Sequence, residues 1–140
     1  MMVITSIVVL VIIIGIVLWF ITANNEASGY SYSDDNISLG YVPDGMECVL
    51  SRNSDEMIDV MFESKDGDYF ALNISDYDVN ISVDTENGTV ENIMINDSYA
   101  AYITTPNGNT LIWYVGDFVY NLYSNMSKEL MVRIAENVNR

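Results

Sequence analysis

Residues 75–88, SDYDVNISVDTENG, carry oxygen-bearing side chains at the spacing of a calcium-binding loop. Its first, third, fifth and ninth positions are occupied by Asp76, Asp78, Asn80 and Asp84. A helix–loop–helix calcium site also needs Gly at position six and a bidentate Glu at position twelve. Ile81 and Asn87 stand at those two positions, so the match to this class of site is incomplete.

The same stretch alternates polar and apolar residues, which is typical of a half-buried strand. Its apolar members are Tyr77, Val79, Ile81 and Val83. Residues two apart on one face of a strand are about 6.6 Å apart, whereas calcium gathers its oxygens at about 2.3–2.6 Å. The sequence therefore favours a solvated acidic strand, and at most a weak calcium site.

Other chemistry has little support in the chain. Acidic groups recur at Asp55-Glu56 with Asp59 and at Asp66 with Asp68, but in turn-like stretches where solvated carboxylates are the usual finding. The chain has no His, Cys48 is its single cysteine, and no nucleophile elbow, phosphate loop or metal-ligand cluster occurs. We therefore expect a non-enzymatic protein without a cofactor. A formal charge of −15 also argues against nucleic acid as a partner.

The N-terminal segment 1–23 contains no charged residue, whereas all 20 acids and all five bases follow Asn25. As a helix it would be about 35 Å long, enough to cross a hydrocarbon core of about 30 Å. Secretory signal peptides have a shorter apolar region after a basic start. We therefore predict a retained transmembrane helix over 1–23 that contacts the lipid bilayer, with cleavage near Ala23 as the alternative.

The remainder is expected outside the cell, as a juxtamembrane spacer over 24–38 and one domain over 39–140. No base flanks the apolar segment closely, and its short N-terminal end is the easier one to keep in the cytoplasm. Six Asn-x-Ser/Thr triplets fit export as glycosylation candidates. They begin at Asn36, Asn73, Asn80, Asn87, Asn96 and Asn125.

The domain reads as a meandering antiparallel sheet closed by one helix, an α+β fold. Turn dipeptides at Asp66-Gly67, Asn87-Gly88 and Asn107-Gly108 separate the strand-like runs. These runs are 57–63, 69–74, 77–83, 89–95, 99–105, 110–115 and 118–123. Residues 127–138 change to helical spacing, with Ser127 as the N-cap. The aromatic residues of 111–123 are expected in core and cross-strand packing rather than in a sugar-binding platform.

Two stretches, YVPDG at 41–45 and LIWYVGDFVYNLYSNMSKELMVRIAENV at 111–138, resemble a domain family of unknown function. Its members are small extracytoplasmic domains at the C-terminus of single-pass membrane proteins in Gram-positive bacteria and methanogenic archaea, some of them anti-sigma-factor-associated. The resemblance rests on Pro43 and Gly45, on Trp113, on the aromatic strand through Tyr120 and on the closing helix. It implies the fold and the location, and it brings no catalytic residue.

The function expected is that of a single-pass cell-membrane protein whose outer domain is a binding or envelope-associated module with an unknown protein or envelope partner. The acidic face of 76–84 and the apolar side of the last helix are both candidate partner surfaces. Two alternatives stay open. One is a pilin-like filament subunit with the N-terminal helix in the filament core, and the other is a ligand binder cleaved at Ala23.

Cell fractionation combined with the mass of the mature chain separates these classes. We expect the protein to pellet with membranes, to need detergent for release, and to retain residues 1–23, because no charge interrupts that segment. Recovery of the intact chain from the cytosol without detergent would contradict the expectation.

Overall fold

The computed structural model describes Ile12, residues 27–77 and residues 85–140. Residues 27–77 and 85–140 form ten strands and one helix. The strands are β1 (Gly29–Ser33), β2 (Ser38–Pro43), β3 (Met46–Asn53), β4 (Met57–Ser64), β5 (Tyr69–Asp76), β6 (Thr89–Ile95), β7 (Ser98–Thr105), β8 (Gly108–Val115), β9 (Phe118–Ser124) and β10 (Val138–Asn139). The helix α1 spans Lys128–Glu136.

Seven of the strands form one antiparallel sheet in the order β3-β4-β5-β9-β8-β7-β6. It consists of two meanders, β3 to β5 and β6 to β9, which are joined where β5 pairs with β9. Tight turns explain the local pairing: Gly116 between β8 and β9 has φ 59°, and Asn96 between β6 and β7 has φ 50°. Gly and Asn adopt this left-handed conformation more readily than other residues.

One face of this sheet is the core, because apolar residues alternate along its strands. The fully buried pair Phe62 and Phe70 stacks across β4 and β5 with ring centroids 4.7 Å apart. Trp113 and Tyr120 stack across β8 and β9 at 5.2 Å. Both are buried, as expected for the aromatic strand. The sequence interpretation of these aromatics as core and cross-strand contacts is therefore correct for this pair.

The core face is covered by α1 and by a second sheet with the order β1-β2-β10. The helix packs against β2, β6, β8 and β9 and buries Met131, Ile134 and Ala135. The Ser127 side chain accepts a hydrogen bond from the Leu130 N–H and caps its N-terminus, as the sequence predicted. The molecule is thus mostly antiparallel sheet with one short C-terminal helix, an α+β fold.

The largest difference from the sequence prediction lies before residue 57. Residues 29–33, within the predicted spacer, form β1, which pairs with β2. The turn at Asp44-Gly45 joins β2 to β3, which belong to different sheets, and Asn87-Gly88 directly precedes β6. The polar sequence GYSYS has no strong strand pattern of its own. The formation of β1 therefore depends on its pairing with β2.

Two other predictions fall on segments outside the described residues. These are the transmembrane helix over 1–23, apart from Ile12, and most of the strand predicted over 77–83. Among the residues that the structure describes, no helix has the length and apolar character needed to span a bilayer.

Asp34 connects the β1–β2 hairpin to the edge of the large sheet. Its carboxylate accepts hydrogen bonds from the Tyr32 and Ser51 hydroxyls and from the N–H groups of Asn36 and Ile37. Burial of the carboxylate opposes its ionisation, but these hydrogen bonds outweigh burial and lower the pKa of Asp34 to about 2. The ionised side chain therefore holds the hairpin turn against β3.

Ile134→Ala should lower the free energy of unfolding by about 3 kcal/mol, because it leaves a cavity under the helix. The Ile134 side chain is fully buried, whereas Glu136, two residues on, is exposed. Denaturant titration of the intact chain measures the difference, with Glu136→Ala as the control, expected within about 0.5 kcal/mol of wild type. Equal effects of the two substitutions would show that α1 does not complete the core.

Asp34→Ala should remove a component of stability that depends on pH. The folded-state pKa of about 2 lies below the ordinary value of 3.8, so the stabilisation is present above about pH 4 and is lost as the pH falls towards 2. We expect a loss of about 1 kcal/mol at neutral pH after solvent screening. The control is Asp35→Ala at the exposed neighbour. If both variants lose stability alike between pH 4 and 2, the network around Asp34 contributes nothing specific.

Candidate functional site

A cleft lies at one end of the large sheet, where three connections meet. It has a volume of about 800 Å³. Its walls are the β2–β3 turn, the β4–β5 turn and the segment that leads from β9 into α1. The lining residues are Pro43, Asp44, Gly45, Met46, Glu47, Ser64, Lys65, Asp66, Asp68, Asn125, Met126, Ser127 and Leu130.

Asn125 ties two of these walls together. Its side-chain oxygen accepts a hydrogen bond from the Tyr69 N–H at 2.9 Å, and its amide nitrogen donates to the Gly67 carbonyl at 3.0 Å. Next to it, the Ser124 hydroxyl donates to the Tyr69 carbonyl and accepts from the Met126 N–H. These contacts form because the β5–β9 pairing brings the start of β5 beside the end of β9.

The β4–β5 turn is also fixed internally. The Ser64 hydroxyl accepts hydrogen bonds from the N–H groups of Asp66 and Asp68, and the Ser64 N–H donates to the Asp68 carbonyl at 2.8 Å. Gly67 completes the turn with φ 90°, in the left-handed region. The backbone conformation of this turn thus positions the Asp66 and Asp68 side chains at the rim of the cleft.

The cleft combines an apolar floor with an anionic rim. Met46 and Met126 are buried and Leu130 is half-buried, and all three face the cavity. The charged lining residues are Asp44, Glu47, Asp66, Asp68 and Lys65. Four carboxylates against one ammonium leave the lining with a net charge of −3. A cleft of this kind suits a ligand that has both an apolar group and a positive charge.

The other four bases of the chain are engaged elsewhere. Arg52 forms an ion pair with Asp59 at 2.9 Å, and Lys128 forms one with Glu91 at 2.6 Å. The guanidinium groups of two arginines lie over aromatic rings: Arg133 over Tyr41 at 4.3 Å and Arg140 over Phe118 at 3.7 Å. Lys65 is the only base among the residues that line the cleft.

The residues considered for calcium are not gathered into a site by the described chain. Asp76 is exposed at the end of β5, and Asp78, Asn80 and Asp84 lie outside the described residues. No group of three or more potential metal ligands occurs in the described ranges. Of the acidic groups that the sequence analysis singled out, Asp66 and Asp68 line the cleft. Asp55 and Glu56 lie in the β3–β4 turn, and Asp59 forms an ion pair with Arg52.

The glycosylation candidates differ in whether their side-chain amide nitrogens donate hydrogen bonds. Four donate hydrogen bonds: Asn36 to Ser51, Asn73 to Asp59 and Met57, Asn96 to the Glu136 carbonyl, and Asn125 to the Gly67 carbonyl. Asn87 is exposed in a turn, with φ 59° and no such bond in the described contacts, and Asn80 lies outside the described residues. A glycan on Asn125 would disrupt the cleft wall, whereas one on Asn87 would not.

The sequence did not predict the cleft, although two stretches that carried the family resemblance form part of its wall. Pro43, Asp44 and Gly45 belong to the first stretch that carried the family resemblance, and residues 125–130 belong to the second. The structure brings these two distant stretches to opposite sides of one cavity. No local sequence pattern indicated that Met46 or Glu47 would line a binding site.

Comparison with protein families identifies the domain. A family model described as a domain of unknown function, DUF4367, matches residues 36–138, well over half of the chain. The chain belongs to the DUF4367 family. The matched range runs from just before β2 to the first residue of β10, so both sheets and the helix of this DUF4367 domain fall within it, apart from β1. Among curated proteins, none matches the chain.

Proposed function

We propose that the protein is a non-enzymatic, membrane-anchored module that displays its DUF4367 domain outside the cell and binds cationic, partly apolar ligands in the cleft. A short peptide segment with basic and aliphatic side chains is the class of ligand that fits best. The observation that carries the proposal is the anionic rim over a methionine floor in a cavity of about 800 Å³.

The size and floor of the cleft support a binding role. Ligand pockets in proteins commonly have volumes of about 300–1,000 Å³ and apolar linings with few polar groups. Met46 and Met126 supply flexible, polarisable surface that adapts to aliphatic groups of different shape. Leu130, in the first turn of α1, extends this surface towards the opening.

Charge supports the selection of a cation. A concave site lined by one sign of charge concentrates its field and attracts ligands of the opposite sign. The carboxylates of Asp66 and Asp68 belong to a turn whose backbone is fixed by Ser64, so little ordering is needed on binding. Phosphorylated ligands and nucleic acids would be repelled by the same rim.

Catalysis is not proposed because the cleft lacks an activated nucleophile. The hydroxyls of Ser64 and Ser127 accept hydrogen bonds from backbone N–H groups of their own turns. The chain contains no His to act as a base for either hydroxyl. The membrane anchor is supported by the uncharged segment 1–23, followed by a body that carries every charge.

The test uses the full chain in neutral lipid nanodiscs and a fluorescent peptide, Leu-Lys-Leu-Lys-Leu, with blocked termini. Asp66→Asn combined with Asp68→Asn should weaken binding about tenfold at an ionic strength of about 0.1 M, since each lost charge contributes somewhat under 1 kcal/mol near the surface. High salt should reduce this difference.

The control removes the same charge far from the cleft, by Asp55→Asn with Glu56→Gln in the β3–β4 turn. It should leave the affinity within about twofold of wild type, because charges beyond a Debye length of about 10 Å are screened. Equal losses for both double variants would mean that the peptide responds only to net charge, and the cleft would then not be its site.

A further inference from the structure

The chain enters the domain along the wall of the cleft that the β2–β3 turn forms. The Ser28 carbonyl accepts a hydrogen bond from the Asp44 N–H at 3.1 Å, and the next residue, Gly29, pairs with Pro43. Asp44 and Pro43 both line the cleft. One wall of the cleft is therefore attached directly to the point where the polypeptide enters the domain.

The preceding residue, Ala27, is also fixed by the folded domain. Its carbonyl accepts hydrogen bonds from the Tyr41 hydroxyl at 3.3 Å and from Arg133 Nη1 at 3.2 Å. The Arg133 guanidinium lies over the Tyr41 ring at 4.3 Å, so these contacts join β2, α1 and the entering chain. The main chain is thus held against the domain from Ala27 onwards, before the first residue of β1.

This position leaves little chain between the domain and the bilayer. The argument rests on the proposed function, in which residues 1–23 are the membrane anchor. Only residues 24–26 lie between this anchor and Ala27. Since an extended chain covers at most about 3.6 Å per residue, Ala27 lies within about 14 Å of the end of the anchor. A free spacer over 24–38 would reach about 50 Å.

The short connection limits how far the cleft can be from the lipid. Ser28, one residue beyond Ala27, contacts Asp44, so this wall of the cleft lies within about 20 Å of the end of the anchor. A domain of this size has a diameter of about 34 Å. No orientation of the domain can therefore carry this wall to the membrane-distal end. A segment that leaves the bilayer needs about six extended residues to reach it.

We propose that the ligand of the cleft is presented from the same membrane, as a basic and aliphatic juxtamembrane segment of another anchored protein. The anionic rim selects the basic side chains, and the methionine floor receives the aliphatic ones. Two short connections to one bilayer hold such a segment at an effective concentration in the millimolar range. A site with few exposed charge pairs is then occupied, although it binds the same segment weakly from solution.

The charge of the cleft favours a peptide over a lipid as the membrane-bound ligand. The lining contains four carboxylates and one ammonium group. A phospholipid headgroup carries a phosphate, and like charges placed against each other oppose binding. A peptide segment with Lys side chains supplies positive charge without a phosphate, and its aliphatic side chains match the apolar floor.

The test uses the full chain in neutral lipid nanodiscs and the peptide Leu-Lys-Leu-Lys-Leu, either free or joined to a lipid. The joining linker has six flexible residues and extends to about 20 Å. Eight Glu-Ala-Ala-Ala-Lys repeats inserted between Glu26 and Ala27 are predominantly helical and move the domain about 60 Å further from the bilayer. The insertion should lower the ratio of bound to unbound lipid-joined peptide at least tenfold, because the two connections no longer span the distance.

The matched control adds the same repeats after Arg140, which leaves the connection to the anchor unchanged. Its ratio should stay within about twofold of wild type. The free peptide should bind all three chains equally, since each keeps Ala27 and the cleft lining. If the free peptide binds but the insertion after Glu26 leaves the ratio unchanged, this inference is overturned and the proposed function stands. If the free peptide binds none of the chains, both are overturned.

Discussion

The pairing of β5 with β9 is the contact on which the other features depend. It joins residues 69–76 to residues 118–124, and it is the only strand pairing of the described large sheet that links its two meanders. Without it, each meander would be a sheet of three or four strands with half a core. With it, Phe70, Leu72 and Leu122 form one buried layer that α1 and the β1–β2–β10 sheet can cover.

The cleft is a consequence of that pairing. The pairing brings Tyr69 beside Ser124 and Asn125. The resulting hydrogen bonds connect the β4–β5 turn to the segment before α1, and both line the cleft. Three of the four cleft carboxylates, those of Asp44, Asp66 and Asp68, come from turns, whereas Glu47 lies at the start of β3.

Local sequence patterns predicted much of the fold. The runs at 57–63 and 89–95 match β4 and β6 closely because their pattern is local, and Ser127 with the helical spacing of Met131 and Ile134 located α1. The β5–β9 pairing could not be predicted, since it depends on residues almost 50 positions apart whose alternation fits several neighbours. The cleft was missed for the same reason: Met46 at the start of β3, Asp66 in the β4–β5 turn and Asn125 after β9 come together only in the assembled sheet.

Native-state hydrogen exchange of the intact chain tests the central role of the β5–β9 pairing most directly. If the two meanders form one cooperative unit, the amides of Leu72 in β5 and Leu122 in β9 should exchange only through global unfolding. Their opening free energy should then equal that obtained from denaturant titration, and so should that of the most protected amides in β4 and β8. Exchange of the β3–β5 amides at one opening free energy and of the β6–β9 amides at another would contradict the account.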